Sequence, residues 1–190
     1  MEIQEGRLTA ARQVISPYCD TRPADTVPRL LVIHNISLPP GQFGGPYIDQ
    51  LFQGTLDPDE HPFFAEIQTL RVSAHCLIRR TGEIVQYVPF HKRAWHAGLS
   101  CYQGTEKCND FSVGIELEGT DTQAFTDEQY QALAQVTQVL LSYYPQINGH
   151  ITGHSDIAPG RKTDPGPYFD WNRYRKSLAQ TDTPATLAVK

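Results

Sequence analysis

The chain of 190 residues lacks any long hydrophobic run. Its longest strictly apolar stretch is Leu30 to Ile33, against the ~20 residues a membrane-crossing helix needs. It also lacks a basic excess. With 16 Lys+Arg against 21 Asp+Glu, the net charge of −5 argues against a nucleic-acid partner, whose phosphates demand a basic footprint. The amino terminus, Met1-Glu2-Ile3-Gln4-Glu5-Gly6-Arg7, has acid first and no apolar core, so no secretory signal is expected. Cys19, Cys76, Cys101 and Cys108 form no Cys-x-x-Cys pair, which argues against a thiolate zinc site. Without an export signal they are expected to be free thiols of a cytoplasmic protein. No His-Glu-x-x-His occurs, which disfavours a zinc peptidase of the helix-borne type. Repeats and low-complexity tracts are absent too.

What is present suffices for one domain. About 150 residues per domain predicts a single unit, and hydrophobic residues at 39% can furnish its core. Residues 7–178 read as that unit, and residues 181–190 as a flexible tail. Leu30-Leu31-Val32-Ile33 has the pattern of a strand buried on both faces, ending at His34. From Ile36 to Leu70 only Pro46 to Phe52 looks helical. So long a loop predicts a lid hinged at Gly41, Gly44 and Gly45, or else a rigid loop packed by Phe43, Phe52, Phe63 and Phe64. His75 to Ile78 and Glu83 to Val88 predict a hairpin turning at Arg80-Thr81-Gly82. In Phe111 to Leu117, aliphatic and aromatic residues alternate with Ser112, Gly114 and Glu116, which puts Glu116 opposite the apolar side chains.

Thr126-Asp127-Glu128-Gln129 fits a capping box opening a helix that Pro145 closes. A strand near Ile151, a turn-rich loop and a helix from Phe169 to Leu178 complete the chain. Strands interleaved with helices make the fold α/β (α+β), a central mixed sheet flanked by helices.

Of seven histidines, His61 and His91 read as solvated and His75 as a hydrogen-bonded core imidazole. His150 shows no partner. His96, in Trp95-His96-Ala97-Gly98, gains no role from its position. His34 and His154 each stand where a short buried strand runs out into a Gly/Pro-rich loop, the place where α/β sheets gather ligands. Asp164 precedes the turn Pro165-Gly166. Two imidazoles and a carboxylate make the three-ligand shell of a catalytic zinc, although a 120-residue separation is weak evidence of contact.

Four stretches together carry a resemblance: Val32-Ile33-His34-Asn35, Trp95-His96-Ala97-Gly98, Asn109 to Gly119, and the loop Gly153 to Gly166. They resemble the zinc N-acetylmuramoyl-L-alanine amidases, a superfamily that includes bacteriophage amidases and peptidoglycan recognition proteins. The resemblance runs from about Glu5 to Trp171. It implies Zn2+ held by His34, His154 and Asp164, with Glu116 as the acid–base residue and Lys162 as the transition-state cation. It further implies a monomeric cytoplasmic hydrolase that cuts between the lactyl group of 1,6-anhydro-N-acetylmuramic acid and L-alanine in muropeptides. Such an enzyme serves peptidoglycan recycling and so limits β-lactamase induction. Substrate contacts are expected from Asn35, Arg71, Tyr102, Lys107 and Arg161, the guanidinium groups facing muropeptide carboxylates. The family pattern has arginine at position 107, where Lys107 keeps the charge but loses the bidentate fork. A peptidoglycan-binding module without catalysis is the rival reading.

Overall fold

The Leu30 to Ile33 run lies inside the second strand from one edge of a six-stranded mixed sheet. In the computed structural model, which describes residues 1–179, the sheet strands in chain order are β1 (Arg12–Gln13), β2 (Leu30–Ile36), β3 (Cys76–Ile78), β4 (Ile84–Gln86), β5 (Ser112–Glu118) and β6 (Ile151–Gly153). Their spatial order is β6-β2-β5-β3-β4-β1. All neighbours run parallel except β3 and β4, which form the expected hairpin with Ile78 opposite Ile84. The helices are α1 (Tyr47–Gln53), α2 (Pro62–Ile67), α3 (Asp127–Tyr143), α4 (His154–Ile157) and α5 (Trp171–Ala179). The capping box of α3 forms as the sequence predicts, with Gln129 N donating to Thr126 Oγ1 and Thr126 N donating to Gln129 Oε1. A short hairpin, Ile3–Gln4 against Arg7–Leu8, straddles the expected domain start at residue 7. The tail expected at 181–190 falls outside the described residues.

Strand alternation sends the two faces of the sheet to different partners. Leu31, Ile33, Val113, Ile115 and Leu117 join the core built with Leu133, Val136, Leu140 and Tyr174 from α3 and α5. On the other face, Leu77, Val85 and Tyr87 pack with Ile48, Leu51, Phe52 and Phe64. A third cluster joins Leu30 and Val32 to Ala97, Phe111 and Ile157. Between these two covers, the face of β2 and β5 carries polar side chains.

The segment Ile36 to Leu70 is more ordered than a bare loop. It holds α1 and an unforeseen second helix, α2, whose N-cap His61 accepts from Phe63 N and whose first residue is Pro62. Ile48, Phe52 and Phe64 are each no more than 2% exposed. Withdrawing them would expose several large side chains at about 1.5–3 kcal/mol each, which favours the packed loop over the hinged cover for residues 47–67. Hydrogen exchange should find amides of α1 and the Phe64 turn slow with or without bound product. Fast exchange in the free protein that slows on binding would restore the hinged cover.

His75 behaves as the core imidazole the sequence predicts. Its Nδ1 accepts from Gly114 N at 3.0 Å and its Nε2 faces Lys92 O at 3.0 Å, which fixes the Nε2–H tautomer. Burial, reinforced by the Arg22 guanidinium, lowers its pKa to about 3. Arg22 itself donates to the carbonyls of Phe90, Asn109, Asp110 and Ser112. It thereby ties the loop before β5 to the strands beneath.

Candidate active site

Strand register alone brings the three central groups together. In the parallel pair of β2 and β5, Glu116 lies opposite His34. In the pair of β2 and β6, Gly153 lies opposite Ile33, so His154, the next residue, arrives beside His34. One row across the sheet therefore carries His154, His34 and Glu116. Strand β2 runs two residues past His34, to Ile36, so His34 sits within the strand rather than at its end.

Asp164 comes from the loop after α4. Gly166 N donates to Thr163 O at 3.0 Å, closing the turn that the Pro165-Gly166 pair predicts. Gly166 has φ +81°, and a Cβ there would lie 2.6 Å from Asp121 Cα. Only glycine fits both constraints. Asn35 Nδ2 donates to Pro165 O at 3.0 Å and to Asp121 Oδ1 at 2.7 Å. Asn35, expected at the substrate, thus has its amide donors engaged in holding the loop that bears Asp164.

The result is a tight triangle of ligand atoms. His34 Nδ1 and His154 Nδ1 are 3.0 Å apart, and Asp164 Oδ2 lies 3.0 Å from the first and 3.1 Å from the second. Tetrahedral zinc with bonds of about 2.0–2.1 Å spaces its ligand atoms by roughly 3.3 Å, so a cation of that size fits. The proton inventory points the same way. His154 Nε2 faces the carbonyl oxygen of Ala97 at 3.1 Å and must carry its hydrogen there. A neutral His154 then aims the bare Nδ1 lone pair at a carboxylate oxygen, an arrangement that a cation stabilises and that repels without one. These three residues are the one group of His, Cys, Asp and Glu side chains among the described residues placed to hold a metal ion.

Electrostatics distinguish the remaining carboxylates. Burial lowers His34 to about 4, although its bond to Asp164 opposes the shift. Burial pushes Asp164 upward, but bonds to His154 and His34 outweigh it and leave the carboxyl far below its ordinary range. Glu116 shifts the other way. Burial, with repulsion from Asp164, raises its carboxyl well above the ordinary value, opposed by the Lys162 ammonium. Its Oε2 is sealed from solvent and has no hydrogen-bond partner.

Glu118, the other acid on that face, is fully occupied. Its Oε1 accepts from Arg79 Nη1 at 3.1 Å and Gly44 N at 2.7 Å, and its Oε2 from Arg80 N at 3.1 Å. Glu118 holds the fold, whereas Glu116 leaves its Oε2 unpartnered.

Lys162 is exposed, with its backbone N–H bound to Ala158 O, and its charge acts on both Glu116 and His34. Arg161 Nη2 donates to the carbonyls of Ala97 and Leu99, each at 2.6 Å. It braces the rim rather than pointing unpaired into solvent. Tyr102 OH meets His150 Nδ1 at 3.1 Å, which gives His150 the partner that the sequence did not show. Arg71 and Lys107 are exposed on loops and form no ion pair among the described residues. Sequence reasoning missed His96. Its Nδ1 lies 2.9 Å from His34 Nε2 and its Nε2 lies 3.0 Å from Ser112 Oγ. Burial together with the neighbouring imidazoles holds its pKa well below the ordinary value.

Comparison with known proteins identifies the family. The family model described as N-acetylmuramoyl-L-alanine amidase matches residues 24–167. The chain is 67% identical over 183 residues to the 1,6-anhydro-N-acetylmuramyl-L-alanine amidase AmpD of Escherichia coli (strain K12), spanning 96% of this chain and 100% of that protein. A crystal structure of a Se-Met AmpD derivative superposes with a TM-score of 0.93 at 67% identity, covering 94% of this chain and 99% of that one. The amidase AmiD from E. coli, solved with the substrate anhydro-N-acetylmuramic acid-L-Ala-D-gamma-Glu-L-Lys, gives a TM-score of 0.58 at 29% identity. That match covers 90% of this chain and 60% of the other.

Proposed function

The chain belongs to the N-acetylmuramoyl-L-alanine amidase family, and from that premise we propose that it hydrolyses the amide between the lactyl group of 1,6-anhydro-N-acetylmuramic acid and L-alanine, with zinc as its cofactor. The observation that carries this reading is the triangle of His34 Nδ1, His154 Nδ1 and Asp164 Oδ2 beside an unpartnered, buried Glu116 Oε2. A zinc ion bound by those three residues would supply Lewis acidity at the scissile carbonyl and acidify the attacking water.

The chain's own residues do the rest. Glu116 takes the proton of the attacking water at Oε2 and passes it to the departing nitrogen of L-alanine, because its raised affinity for protons suits it to hold one between the two steps. Lys162 offers its ammonium to the negative charge that develops on the carbonyl oxygen. Arg71, Tyr102, Lys107, Arg161 and Asn35 are the proposed contacts along the sugar and peptide. The E. coli amidase AmiD, solved with an anhydromuramoyl tripeptide substrate, supports a muropeptide ligand of that size.

A cytoplasmic setting in peptidoglycan recycling, with its effect on β-lactamase induction, belongs to the same proposal, and so does a monomeric state. All four cysteines are free thiols, which suits a reducing compartment. Among the described residues no helix is long and apolar enough to cross a membrane.

A binding module would retain muropeptide without cutting it. Mass spectrometry after incubation with an anhydromuropeptide should show anhydro-muramic acid and a peptide with free amino-terminal L-alanine. Recovery of intact muropeptide alone would favour the binding module.

A further inference from the structure

We propose that the His96-Ala97 dipeptide is a positioning device that sets the tautomer and ring orientation of both metal-binding imidazoles. The inference rests on the metal reading of His34, His154 and Asp164, and it gives a role to the Trp95-His96-Ala97-Gly98 stretch.

Each ligand imidazole uses Nδ1 at the centre and leaves Nε2 for a partner. For His154 that partner is the backbone oxygen of Ala97, at 3.1 Å. For His34 it is Nδ1 of His96, at 2.9 Å. A neutral His34 that offers the Nδ1 lone pair to a cation carries its hydrogen on Nε2, so His96 must accept at Nδ1. His96 then has its hydrogen on Nε2, where Ser112 Oγ lies 3.0 Å away. The chain of donors is consistent from end to end. Two consecutive residues thus supply the outer acceptors for both histidines, the kind of support that fixes a ligand's tautomer and aim.

The dipeptide is itself held. Asn109 Oδ1 accepts from His96 N at 3.1 Å and from Ala97 N at 2.8 Å, and Arg161 Nη2 shares the Ala97 oxygen. Beneath the ring, a Cβ on Gly114 would sit 2.5 Å from His96 Cγ. Glycine at that point of β5 is therefore what admits the imidazole to its place beside His34. A solvated loop histidine would need neither the clip nor the gap.

Zinc affinity, measured by competition with a chromogenic chelator after the intact protein is stripped and reloaded, tests the role. His96→Leu fills similar space without an acceptor and should weaken zinc by roughly 10–100-fold. His96→Asn, whose side-chain oxygen can replace Nδ1, should recover most of that loss, and Asn109→Ala should weaken zinc through loss of the clip. Equal affinity in wild type and all three variants would overturn the proposal while leaving the metal reading intact. Wild type that takes up no zinc would overturn both.

A measurement on wild type alone keeps the test independent of how the variants fold. Nitrogen-15 spectra of histidine-labelled, zinc-loaded protein should show His34, His154 and His96 all protonated on Nε2. A His96 protonated on Nδ1 cannot accept from His34 and would contradict the device directly.

Discussion

Replacing Glu116 with glutamine should lower turnover by roughly 10²–10⁴-fold, the usual contribution of a positioned proton carrier, while zinc content stays near that of wild type. The separation follows from geometry. Glu116 stands beside His34 by strand register, but the ligand triangle is complete without it. Its Oε2 has no partner to lose, so the substitution should leave the melting temperature almost unchanged. Glu118 provides the contrast on the same face of the strand. Glu118→Ala breaks a buried pair with Arg79 and removes the acceptor for two backbone amides. Such a loss typically costs about 3–5 kcal/mol of stability. Denaturation midpoints and rates measured on both variants should show one losing turnover and the other losing stability. A Glu116→Gln variant with wild-type turnover would remove Glu116 from the mechanism.

Removing a ligand should have the larger effect on metal. Asp164→Ala leaves two imidazoles with their lone pairs converging at 3.0 Å and no negative charge to hold a dication between them. Zinc affinity should fall by orders of magnitude, since metal binding in such sites draws on every ligand at once. Elemental analysis after gel filtration should find little zinc in Asp164→Ala and in His154→Ala. The fold should survive, because the ligands lie outside the cores formed with α3 and α5 and with α1 and α2. Zinc retained at one per chain in either variant would show that the metal is held elsewhere.

The parts of this site that could be read from the sequence are those fixed by local pattern. Alternation in β5 places Glu116 away from the aliphatic face, and the structure puts Val113, Ile115 and Leu117 in the core as that pattern requires. The capping box of α3 and the β3–β4 hairpin likewise depend on neighbours in sequence. The contact of His34 with His154 does not. It arises because β6 pairs beside β2, a register that a three-residue strand does not announce. The resemblance to known amidases supplied that contact.

Three features were out of reach for the same physical reason. His96 is recognisable as an outer partner only once β5 presents Gly114 beneath its ring. Glu116 and Glu118 share one face and one chemistry, so alternation does not tell them apart; the register of Glu116 opposite His34 and the partners of Glu118, residues 44, 79 and 80, do. Helix α2 read as loop because it is only six residues long and its apolar residues, Phe63, Phe64 and Ile67, show their partners only in three dimensions.

On the proposed reading, one metal ion held by His34, His154 and Asp164 makes this chain an amidase. The most direct test strips the protein with chelator, returns zinc in steps and measures peptide released from an anhydromuropeptide at each step. Stripped protein should release nothing, and activity should then rise linearly and break at one zinc per chain, with Asp164→Ala inactive throughout at the same zinc concentrations. Full activity in the stripped protein, or a rise that Asp164→Ala follows equally, would contradict that reading.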